Sequence, residues 1–80
     1  MNTKILVKKA DSNIWTNELT IIDHWTNATM TNTQDETGKE VFNEFVEILK
    51  TTDLYTLEQK VRNNNCNTRI GNLIFKLSYY

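Results

Sequence analysis

Three carboxylates, Glu40, Glu44 and Glu47, are spaced at i, i+4 and i+7. On a helix that spacing stacks them along one face. Asp35 and Glu36 stand just ahead of them. Acids in a first turn are favoured by the helix dipole, but like charges at i, i+4 repel and Glu47 lies too far along to benefit. The stripe therefore works mildly against folding. It reads either as a solvated helix face or as a docking surface for a basic partner, its carboxylates standing in for phosphates.

The cations form the counterpart. Residues 1–10 carry Lys4, Lys8 and Lys9 and no acid, a charge of +3. Residues 59–80 carry Lys60, Arg62, Arg69 and Lys76 and no acid, a charge of +4. Residues 11–58 hold all ten acids with only Lys39 and Lys50, a charge of −8. A net charge of −1 thus conceals two opposed fields, provided the chain ends meet in the fold. Lys8, Lys9, Arg62, Arg69 and Lys76 could track a nucleic-acid backbone, with Trp15 or Tyr79 offering a stacking surface. A pI of about 5.7 argues against a basic nucleic-acid module, and lysines on strands also guard sheet edges. Direct nucleic-acid binding is thus the second reading.

Catalysis and metal binding find little support. His24 is the only histidine and Cys66 the only cysteine. A thiolate pair between them has no signature around it, and two ligands are too few for a structural zinc site. Arg69-Ile70-Gly71-Asn72 holds a single glycine, which suits a bulge or the start of a strand rather than a phosphate loop. The reading is therefore no enzyme, no catalytic or metal residue and no cofactor.

The elements that must position these groups follow from periodicity. Thr3 to Lys9 reads as a strand. Trp15, Leu19, Ile21 and Trp25 share one parity, which favours a strand or strand pair over residues 14–25 with both tryptophans in the core. Residues 26–33 suit an edge strand or a loop. Thr37-Gly38-Lys39-Glu40 has the form of a capping box, and Val41, Phe42, Phe45, Val46, Ile48 and Leu49 then recur at helical spacing. Asp53 or Thr56 can cap a short second helix through Leu57 and Val61; the competing reading of residues 54–62 is a hairpin. From Thr68 onward the alternation predicts one long strand. The expected fold is α+β: a small antiparallel sheet of about three or four strands, packed by one main and one short helix in the order β-β(-β)-α-α-β.

Eighty residues, 39% apolar and 24% charged, suit a single domain spanning 1–80 with a small core. The chain begins at Met1 and reads as complete. It lacks a signal-peptide core or membrane span, and its lone thiol suits a reducing cytoplasmic setting. Eleven Asn and twelve Thr against two Ala, two Gly and no Pro are the coding bias of an AT-rich genome, such as that of a low-GC bacterium or its phages. A monomer or a homodimer is expected, with Tyr79-Tyr80 as a candidate interface anchor.

In size, lone α+β domain, lack of an enzyme motif and clustered acids (Asp35, Glu36, Glu40, Glu44, Glu47), the chain resembles the small phage-encoded anti-CRISPR inhibitors. The resemblance implies a stoichiometric inhibitor whose carboxylates occupy a basic nucleic-acid channel of a host defence effector. The partner would be a larger host protein or ribonucleoprotein with a basic surface. The basic chain ends depart from the all-acidic pattern of a pure nucleic-acid mimic, and suit a two-sided partner or a contact with RNA.

Overall fold

The computed structural model describes residues 3–23, 27–64 and 67–78. His24, Trp25, Cys66, Tyr79 and Tyr80 lie outside the described residues. The elements are β1 (Thr3–Lys9), β2 (Asn17–Asp23), β3 (Asn27–Met30), α1 (Glu36–Leu49), α2 (Leu54–Asn63), β4 (Thr68–Ile70) and β5 (Leu73–Leu77). The class is α+β as expected, but the described sheet has five antiparallel strands, in the order β3-β2-β1-β5-β4.

Of the two alternatives for residues 26–33 the edge strand is the one formed, whereas the segment from Thr68 departs from the sequence reading. Residues 27–30 form an edge strand against β2, with Met30 opposite Leu19 and Ala28 opposite Ile21. The single long strand expected from Thr68 is a hairpin. Gly71, at φ 60°, opens a two-residue turn with Asn72, and Ile70 pairs with Leu73 across it. A positive φ at the first central position is tolerated by glycine because it has no Cβ. Residues 54–62 are helical, and the competing hairpin is not formed.

The core lies on one face of the sheet. Ile5 and Val7 of β1, Leu19 and Ile21 of β2, and Leu73 and Phe75 of β5 are buried against Val41, Phe45 and Ile48 of α1 and Leu57 and Val61 of α2. This is the period-2 and period-3.6 pattern meeting across two layers. The alternate strand residues face away from the helices. Lys4, Leu6 and Lys8 of β1 stand there beside Glu18 and Thr20 of β2 and Ile74 and Lys76 of β5.

The two helix starts differ. Asp53 caps α2 through its carboxylate, which accepts a hydrogen bond from the Thr56 N–H at 2.7 Å. That bond holds the Asp53 carboxyl below the usual aspartate range. The capping box expected at Thr37 is not formed: α1 begins at Glu36, and Thr37 lies inside its first turn. Asp35 is the N-cap residue, and its side chain makes no capping hydrogen bond. The start of α1 is fixed from outside instead. Asn17, 2% exposed, donates from its amide to the carbonyls of Thr31 (2.9 Å) and Gly38 (3.2 Å). A Cβ on Gly38 would stand 1.8 Å from the Asn32 carbonyl oxygen, so only glycine lets this loop lie on the helix.

Candidate interaction surfaces

The buried stripe of α1, Gly38, Val41, Phe45 and Ile48, leaves two flanks. Glu40, Glu44 and Glu47 follow one flank, and Phe42 (37% exposed) and Val46 (40%) follow the other. The acids do share a face, as the spacing requires, but their settings differ. Glu40 accepts from the Lys9 ammonium at 2.7 Å. Glu47 pairs with Lys50 at 2.6 Å, one turn along the same helix end. Glu44 is half-buried beside the β4–β5 turn. Asp35 and Glu36 are exposed at the helix start.

Between the acidic flank and the rim of the sheet runs a cleft of about 430 Å³. Asp11, Glu40 and Glu44 contribute carboxylates to its lining, and Lys9 and Arg69 contribute cations. Strand register sets Arg69 opposite Ile74, toward the open face, yet its side chain lines this cleft and its Nε donates to the Gly71 carbonyl at 3.1 Å. The Lys9 ammonium is held above the usual lysine range, first by its hydrogen bond to Glu40 and then by the charge of that carboxylate.

The five cations considered together in the sequence are divided by the fold. Lys9 is tied to Glu40, and Arg69 lines the cleft. Arg62 is built into the structure: its Nε donates to Glu58 at 3.0 Å and its Nη2 to the Thr3 hydroxyl at 2.6 Å, and that hydroxyl donates to Glu58 at 2.7 Å. Glu58 is 1% exposed, so it requires this pairing. The sequence reading missed this pair: the i, i+4 spacing of Glu58 and Arg62 is its one signal, and burial of the acid depends on how α2 lies on β1.

Lys8 and Lys76 do come together, from neighbouring strands, on the helix-free face. Their ammoniums stand 5.0 and 4.9 Å from the centre of the Trp15 ring. Trp15 is therefore not a core residue. It precedes β2, whose alternation begins only at Asn17, and the connecting segment carries it to the outer side. Among the other rings, Phe45 and Phe75 are buried, whereas Tyr55 is 41% exposed.

Among the described residues no three His, Cys, Asp or Glu side chains converge as a metal site. No described helix is long and apolar enough to cross a membrane. No family model, curated protein or solved structure matches the chain.

Proposed function

We propose that this chain is a non-enzymatic binding protein that occupies a basic surface of a larger protein or ribonucleoprotein through the acidic flank of α1. The observation that carries the reading is the alignment of Glu36, Glu40, Glu44 and Glu47 on one side of α1, away from the core, with Glu40 and Glu44 lining a cleft. The concave seat adds a shape to the charge. Asp11, Glu40 and Glu44 can receive one arginine or lysine of a partner, and the outer acids Asp35 and Glu36 can steer its approach. The ion pairs to Lys9 and Lys50 do not oppose this. Exposed pairs are weak and salt-screened, so a partner's cation exchanges with them at little cost.

The resemblance to anti-CRISPR inhibitors supports a specific form: an intracellular phage or mobile-element inhibitor that covers a nucleic-acid channel of a host defence effector. Affinity capture of the tagged protein from a nuclease-treated lysate of an AT-rich bacterium tests it. A stoichiometric protein partner should be retained by the native chain and lost from the triple variant Glu40→Lys, Glu44→Lys, Glu47→Lys. Retention by a triple variant with a native circular-dichroism spectrum would sink the reading.

A further inference from the structure

The helix-free face of the sheet has a composition that the acidic flank does not explain. Both helices lie on the opposite side, and outer positions such as Lys4, Ile22 (44% exposed) and Thr29 are open to water. By register, Lys4 and Lys8 of β1 and Lys76 of β5 lie on this face, against one described carboxylate on its strands, Glu18. β1 and β5 are adjacent, so the cations of the two chain ends meet here. At their centre is Trp15, half-buried, with two ammoniums about its ring. Leu6 and Ile74, partly exposed on the same face, add apolar surface.

We propose that this face binds single-stranded nucleic acid, with Trp15 as the stacking platform and Lys8 and Lys76 as the phosphate contacts. The charge of the face is complementary to a polyanion, and the ring selects a polyanion that also carries flat bases. A sheet face offers strands at a spacing that lets neighbouring side chains act together, as Lys8 and Lys76 do across β1 and β5. On binding, a base takes the ring surface and the ammoniums move outward to the flanking phosphates. The reading is of a single strand, because among the described residues neither a helix nor a projecting ribbon stands on this side to enter a duplex groove. The proposal is independent of the acidic flank, which lies on the helix layer.

Fluorescence anisotropy with a labelled oligothymidylate of about 12 nucleotides tests it, with inorganic polyphosphate as the competing polyanion. The full chain should bind at about 50 mM salt and weaken as salt rises, with a log–log slope of about −1.4 for the two phosphates neutralised by Lys8 and Lys76. Lys8→Gln with Lys76→Gln should lower affinity for both polyanions by about tenfold or more. Trp15→Ala should lower affinity for the oligonucleotide by at least about fivefold and leave polyphosphate binding unchanged, and Trp15→Phe should restore most of the loss. Circular dichroism of each variant separates lost contacts from lost fold. No binding of the oligonucleotide at low salt would overturn the proposal. So would a folded Trp15→Ala variant that binds it as well as the native chain, since the face would then be a simple anion-adsorbing surface. Because the readout uses nucleic acid rather than a protein partner, failure here leaves the acidic-flank reading standing, and the converse also holds.

Discussion

At the scale of single residues, charge alone did not reveal which side chains serve the fold and which remain available. Arg62 and Lys76 look equivalent in the sequence, yet Arg62 closes a hydrogen-bonded triangle with Thr3 and the buried Glu58, while Lys76 lies beside Trp15 on the open face. The difference depends on which residue of α2 meets β1, a tertiary fact that local pattern does not encode. Arg62→Ala should therefore behave as a stability mutation. It removes two hydrogen bonds around a buried carboxylate and should cost about 2 kcal/mol in urea unfolding, without altering oligonucleotide binding. Asp53 is the opposite case, a cap legible directly from its place before a helical run. Its carboxyl is held below the usual aspartate range by the Thr56 N–H. A folded-state value below the unfolded one means that the cap stabilises above the ordinary aspartate pKa and loses that effect as pH falls through the folded value. Asp53→Ala should lower Tm at neutral pH, and the gap between variant and native chain should close in melts below about pH 4.

At the scale of elements, β1 and the body of α1 were legible because each carries an uninterrupted period, whereas residues 54–62 fitted a capped helix and a hairpin alike. Val41, Phe45 and Ile48 repeat at helical spacing, and Ile5 and Val7 alternate in a short β-branched run. The failures occurred where a few residues carry two meanings. Residues 68–77 alternate on both sides of Gly71-Asn72, so the turn between β4 and β5 was concealed within a continuous pattern. Thr37 and Glu40 have capping-box spacing, but Asn17 and the Asn32 loop fix the helix start two residues earlier, with Asp35 at the N-cap. That docking gives a sharp test. Gly38→Ala drives a methyl into the Asn32 carbonyl and must displace the loop or the helix, so it should cost several kcal/mol, about 3 or more, in chemical denaturation. An Ala variant as stable as the native chain would mean that the loop does not lie on α1 as described. Gly71→Ala, where a positive φ is strained by a Cβ rather than blocked by a neighbour, should cost about 1–2 kcal/mol.

At the scale of the molecule, the segregation of charge along the chain becomes a segregation in space. The two cationic chain ends are adjacent as β1 and β5, and their lysines Lys8 and Lys76 share the face turned away from the helices. Four of the ten acids, Glu36, Glu40, Glu44 and Glu47, stand on α1, on the other layer. The candidate acidic site was legible as a helical spacing, whereas the cleft beside it was not, because it needs the β4–β5 turn brought against Glu44. The edge strands β3 and β4 are only four and three residues long, which limits edge-to-edge pairing between copies. The central claim is that the acidic flank of α1 makes the principal contact with a basic partner. The most direct test is the affinity of the captured partner for the double variant Glu36→Lys, Glu44→Lys, measured by titration calorimetry. These two acids are chosen because the fold's ion pairs at Glu40 and Glu47 stay intact. The account predicts a fall in affinity of at least about tenfold, with Tm unchanged within a few degrees. Unaltered affinity in a folded double variant would contradict it and leave α1's carboxylates as a solvated face.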